Sequence, residues 1–124
     1  MAEGPHATVA IVDDDEAVRH SLRFLLEVIG HKVETFAAAD EFQKAEPDKL
    51  LCLIVDQHMP GMTGLELAER LRAAGNTVPI MLVTGAPSPA IHARAAELGI
   101  DEVLEKPPDE ARLMAFIDTA KRRL

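Results

Sequence analysis

Three consecutive aspartates, Asp13, Asp14 and Asp15, follow the apolar run ATVAIV at residues 7–12. Like charges about 4 Å apart repel by roughly 4 kcal/mol at an effective dielectric of 20. Ser or Asn would avoid that cost, so the acids need a reason. A fourth carboxylate, Asp56, ends the apolar run LLCLIV at 50–55; Thr84 ends PIMLVT at 79–84, and Lys106 ends EVLEK at 102–106. Taken singly, each has a plain reading: an Asp that caps a helix or turn, a Thr with strand propensity, a solvated loop Lys. Together they suit a hard cation and a phosphoryl group. Mg²⁺ takes oxygen ligands, often one or two carboxylates plus phosphate. A lysine facing the same carboxylate neutralises phosphoryl oxygens. A carboxylate can itself be the nucleophile and become an aspartyl phosphate. There is no His/Cys cluster of zinc spacing, so the expected metal is Mg²⁺, with Mn²⁺ as the alternative.

The elements that must gather these residues alternate along the chain. ATVAIV (7–12) reads as a strand buried on both faces. A helix follows, with Asp15 as N-cap, Val18, Leu22, Leu25, Leu26 and Ile29 at helical spacing, and a stop at Gly30. HKVETF (31–36) is a weaker strand and ADEFQKA (39–45) a short helix. LLCLIV is the strongest strand; GLELAERLRAAG (64–75) is helical, with Leu65, Leu67, Ala68 and Leu71 inward. After the strand PIMLVT comes SPAIHARAAELG (88–99), with Ser88 as N-cap, Pro89 in the first turn and a stop at Gly99. EVLEK is a fifth strand, and a last helix runs from about Asp109 to Arg122 with Leu113, Phe116, Ile117 and Ala120 on one face. Strand and helix alternate five times, which implies a doubly wound α/β fold: a parallel sheet with helices on both faces. Ligands in such sheets bind beyond the carboxyl ends of the strands. That edge is where the acids, the threonine and the lysine fall.

Composition sets the outer limits. The 124 residues suit one domain, residues 1–124 with a core at about 7–122. A net charge of −8 favours solubility and argues against direct nucleic-acid binding. Lys121, Arg122 and Arg123 read as cations at a helix C-terminus. Cys52, the one cysteine, sits in an apolar run and reads as a small buried hydrophobe, which points to a reducing, cytoplasmic setting. No apolar stretch is long enough to span a membrane, and no signal peptide is expected. His6, His20, His31 and His92 read as surface residues.

The chain resembles the response-regulator receiver domain of two-component signalling over essentially its whole length. The resemblance rests on IVDDD, LIVDQHMPGMTGLEL, VPIMLVTG and LGIDEVLEKP, and on the intervals from Asp14 to Asp56, Thr84 and Lys106. In general look it is most similar to receivers that precede a helix-turn-helix output domain in nitrogen-fixation-type regulators. The resemblance implies a flavodoxin-like, five-stranded sheet of order 2-1-3-4-5. It implies that Asp56 accepts a phosphoryl group from a kinase phosphohistidine. Asp14, Asp56 and the backbone carbonyl of His58 would bind Mg²⁺, and Asp13 would act mainly through metal-bound water. Lys106 would pair with phosphoryl oxygens, and Thr84 would hydrogen-bond to the phosphoryl group and move on activation. A cis Lys106–Pro107 bond is expected, and Gly85 leaves room for phosphate. The implied partners are a histidine kinase or phosphotransfer protein and an output domain or target protein, with homodimer pairing through helix 4, strand 5 and helix 5. No membrane contact is implied, and the domain is no enzyme beyond promoting its own phosphorylation and dephosphorylation.

Three departures bear on the switch. Val103 stands where the family usually has Tyr or Phe; Pro108 replaces a bulkier apolar residue; Pro87 and Pro89 stiffen the loop after Thr84. They leave the phosphorylation chemistry intact and predict smaller motion on activation. His58 has two readings, a solvated loop residue or a residue that tunes phosphoryl lifetime with pH. Two other functions stay open: a receiver-like interaction module that takes no phosphate, and a Mg²⁺-dependent aspartyl-phosphate phosphatase. Such phosphatases carry an acid two residues after the nucleophile, where this chain has His58.

Overall fold

The computed structural model describes residues 7–45, 47 and 49–123; His6 lies outside them. Five strands alternate with five helices: β1 (Thr8–Val12), α1 (Glu16–Val28), β2 (Lys32–Phe36), α2 (Ala39–Ala45), β3 (Leu50–Asp56), α3 (Gly64–Ala73), β4 (Ile80–Thr84), α4 (Pro89–Glu97), β5 (Glu102–Glu105) and α5 (Glu110–Arg122). The strands form one parallel sheet in the order β2-β1-β3-β4-β5, as expected.

Successive strand residues point to opposite faces, and the core divides accordingly. Val9, Ile11, Cys52, Ile54, Met81 and Val83 meet Leu26 of α1 and Leu113, Phe116, Ile117 and Ala120 of α5. Ala10, Val12, Leu53, Val55, Ile80 and Leu82 meet Phe42 of α2, Leu67 and Ala68 of α3 and Leu98 after α4. The near-continuous apolar runs of β1, β3 and β4 are thus buried from both sides, as a parallel sheet requires.

The helix ends follow the capping residues. Asp15 Oδ1 accepts from the N–H groups of Ala17 (2.9 Å) and Val18 (3.3 Å). Ser88 Oγ accepts from Ile91 N–H, and Pro89 opens α4. Asp109 caps α5. Thr63 forms a capping box with Glu66, which fixes where α3 begins. One residue expected on the inward face of α1 does not lie there. Ile29 lies past the last turn of α1 and is 51% exposed, because the helix ends before it comes round to the sheet. Lys106 likewise follows β5 rather than ending it.

Candidate functional site

The parallel ladder delivers the site residues to one edge. Its hydrogen bonds continue one residue past the strands: Asp13 N–H donates to Phe36 O (3.0 Å), Gln57 N–H to Val83 O (2.9 Å) and Lys106 N–H to Thr84 O (2.9 Å). The chain therefore leaves β1, β3, β4 and β5 at a common level. Asp13, Asp56 and Thr84 are buried there, while Asp14 is exposed. One carboxylate oxygen from each of Asp13, Asp14 and Asp56 lies within 4.8 Å of the others. Lys106 Nζ is 3.1 Å from Asp56 Oδ1 and 3.6 Å from Asp13 Oδ2. Asp15 is separate from this group and belongs to the cap of α1.

Neighbouring backbone holds the acids in place. Asp13 Oδ1 accepts from Asp15 N–H (2.9 Å), and Arg19 Nη1 donates to the Asp13 carbonyl (2.8 Å). His58 N–H donates to Asp56 Oδ1 (3.3 Å). The buried Gln57 secures the loop after Asp56: its Oε1 accepts from Leu65 N–H (2.9 Å), and its carbonyl accepts from Gly64 N–H (3.2 Å). At Gly64 a Cβ would sit 2.7 Å from the Asp56 carbonyl oxygen and 2.7 Å from Leu82 Cδ1. The glycine of the D-x-x-M-P-x-M-x-G stretch is therefore what lets α3 start directly against the end of β3.

The electrostatics are those of a site short of positive charge. Burial raises the Asp13 carboxyl above its usual value, against the Asp15 N–H bond, and the Asp56 charge adds to the rise. Lys106 is raised: burial would lower it, but the Asp56 hydrogen bond and the Asp13 and Asp56 charges outweigh that. Three clustered carboxylates and no imidazole or thiolate ligand form a hard oxygen donor set that fits Mg²⁺.

Around this centre, Thr84 Oγ1 accepts from Ala86 N–H (3.1 Å) and lies 3.1 Å from His58 Nε2. His58 is exposed as a residue, yet its ring tip is engaged rather than free. A Cβ at Gly85 would meet nothing within 4 Å, so that side of the site is open. The Lys106–Pro107 bond is cis. Val103 is half-buried and packs on the same core cluster as Ile91 of α4. A largely apolar groove, lined by Val18, Leu22, Pro108 and Leu113 among others, runs between α1 and α5 and reaches Asp13, Asp56 and Lys106. His31 is half-buried rather than at the surface, and burial and Lys121 lower its pKa. Sequence reasoning missed Gln57, Arg19 and the His58–Thr84 contact. The T-x-x-E pattern at 63–66 was a readable signal for the α3 cap.

An open doubly wound sheet of order 2-1-3-4-5 with an acid cluster and a lysine at its carboxyl edge places the chain in the class of flavodoxin-like domains. Residues 9–118 match the response regulator receiver domain family, and the chain belongs to it. It is 38% identical over 116 residues to the transcriptional regulatory protein FixJ of Bradyrhizobium diazoefficiens, covering 93% of this chain and 57% of that protein. It is 35% identical to the phosphate regulon transcriptional regulatory protein PhoB of Rhizobium meliloti, covering 93% of this chain and 52% of that one. The chain thus spans about half the length of the curated relatives it matches. Among solved structures, FixJ-N superposes with a TM-score of 0.84 at 30% identity, covering 100% of this chain and 98% of that one. The response regulator StyR does so with a TM-score of 0.86 at 38% identity, covering 96% and 63%. The chain is therefore a receiver domain of two-component systems, and no helix among the described residues is long and apolar enough to cross a membrane.

Proposed function

We propose that this chain is a single phosphoacceptor domain working in the cytoplasm, and that Asp56 takes a phosphoryl group from a phosphohistidine. One observation carries the reading: Lys106 Nζ reaches both Asp56 and Asp13, beside Asp14, so that three strands supply one site in which a single ammonium faces three carboxylates. Asp56 Oδ attacks phosphorus in line and the imidazole of the donor leaves, so a P–O bond forms as a P–N bond breaks. Lys106 holds a phosphoryl oxygen, and Thr84 donates its hydroxyl proton to another. Asp14, Asp56 and the His58 carbonyl would hold Mg²⁺, Asp13 would act mainly through metal-bound water, and the ion would supply the positive charge that Lys106 alone does not. Positioning and electrostatics do most of the work, and the chain turns over no other substrate.

The donor is a histidine kinase or phosphotransfer protein, for which the groove between α1 and α5 offers an apolar approach to Asp56. The added dianion biases the Thr84–Ser88 loop and α4, and an output domain or target protein reads the change. Pairing of two copies through α4, β5 and α5 would place Val103 at the interface. Incubation with acetyl phosphate and Mg²⁺ tests the reading by intact mass. One phosphoryl group should be gained, and the gain should vanish with EDTA or Asp56→Asn. Steady turnover of many phosphoesters would instead mark a phosphatase, and no gain would mark a module that takes no phosphate.

A further inference from the structure

The hydroxyl of Thr84 has one proton and two lone pairs. One lone pair accepts from Ala86 N–H at 3.1 Å. The residue is fully buried, so its proton also needs an acceptor. The remaining partner is His58 Nε2, at 3.1 Å, and no buried side-chain polar atom among the described residues is left without a partner. Were Nε2 protonated, Thr84 would accept from two N–H groups and its own proton would have no acceptor among these partners. The accounting therefore puts the ring proton on Nδ1 and makes Nε2 the acceptor.

We infer that His58 is a positioning residue that latches Thr84. Its Nε2 holds the proton that Thr84 must give to a phosphoryl oxygen. The inference rests on the reading of Asp56 as phosphoacceptor. Thr84 cannot donate one proton twice, so a tetrahedral anion on Asp56 must break the His58 bond before it gains the Thr84 bond. The latch is made to open. His58 is exposed, so a freed Nε2 passes to water, whereas Thr84 passes from one acceptor to another. The same hydroxyl also holds Ala86, two residues before the cap of α4, so the latch and the loop that leads to α4 share an atom. No charge change on His58 is needed, because the competition is for a hydrogen bond.

The test uses beryllofluoride with Mg²⁺ as the phosphoryl mimic, with affinity read from amide NMR shifts. His58→Phe keeps a flat ring and removes the acceptor; it should bind the mimic about three- to tenfold more tightly, the worth of one neutral hydrogen bond. His58→Gln restores an acceptor and should return affinity toward the wild type. In a Thr84→Val background His58→Phe should change nothing, because no proton is contested. Nitrogen-15 spectra of the mimic-free chain should show Nε2 unprotonated. The latch is overturned by protonated Nε2, by unchanged or weaker binding in His58→Phe, or by an equal gain in the Thr84→Val background. Equal binding by Asp56→Asn and wild type would sink the phosphoacceptor reading instead, while the tautomer spectrum would still judge the latch.

Discussion

Asp13→Asn should stabilise the metal-free protein, although it damages the site. The Asp13 side chain is only 6% exposed. Its carboxylate lies within 4.8 Å of that of Asp56, a repulsion of roughly 3.5 kcal/mol at an effective dielectric of 20. Lys106 at 3.6 Å returns roughly 4.5 kcal/mol on the same scale. Asp14 adds a further, better-screened repulsion, so the charge terms nearly cancel and the cost of burying the carboxylate stands alone. Asparagine removes that charge and keeps an oxygen for Asp15 N–H. The expected gain is on the order of 1–2 kcal/mol, with a midpoint shift of roughly 3–6 °C per kcal/mol for a chain of this size. The sign with pH follows from the raised Asp13 carboxyl. The native state keeps the proton to higher pH than the unfolded chain, so the penalty is full above the raised value and absent below the ordinary 3.8. The advantage of Asn should therefore be largest at neutral pH and shrink as pH falls toward that value. Thermal and urea unfolding in EDTA, at several pH values, measure it. A variant no more stable than the wild type at neutral pH, or an advantage that grows on acidification, would refute the reasoning.

Three further outcomes follow from the same geometry. Asp14→Ala should abolish Mg²⁺ binding and Asp13→Ala weaken it, whereas Asp15→Ala should cost about 1 kcal/mol of stability and leave Mg²⁺ affinity intact; calorimetric titration separates the three, and equal losses would show that Asp15 is not simply a cap. Gly64→Ala should destabilise by roughly 1–3 kcal/mol, because its Cβ meets the Asp56 carbonyl oxygen at 2.7 Å and that oxygen is backbone; an unchanged urea midpoint would contradict it. Burial pushes the Cys52 thiol up to about 12, so a thiol reagent at pH 8 should label it only as fast as the chain unfolds; rapid labelling of the native protein would overturn this.

The fold was legible because apolar runs and caps agree with one another. Asp15, Ser88 with Pro89, and Asp109 each sit where a helix begins, and the runs before Asp13 and Asp56 and ending in Thr84 are strands buried on both faces. Parallel pairing then carries Asp13, Asp56, Thr84 and Lys106 to one edge without further information. What escaped the sequence depends on reach rather than pattern. His58 and Thr84 are far apart in the chain, and only the register of β3 beside β4 brings them together. Gln57 reads as an ordinary loop residue until α3 is seen starting against it. Ile29 failed because helical spacing continues on paper after the helix has ended.

The position of the phosphoryl group on the chain is the most direct test of Asp56 as acceptor. After incubation with acetyl phosphate and Mg²⁺, borohydride reduces an acyl phosphate of aspartate to homoserine, and peptide mass mapping locates it. The site described here predicts one homoserine, at position 56, lost when Mg²⁺ is chelated. Modification at Asp13 or Asp14, or none at all on a folded chain, would contradict it.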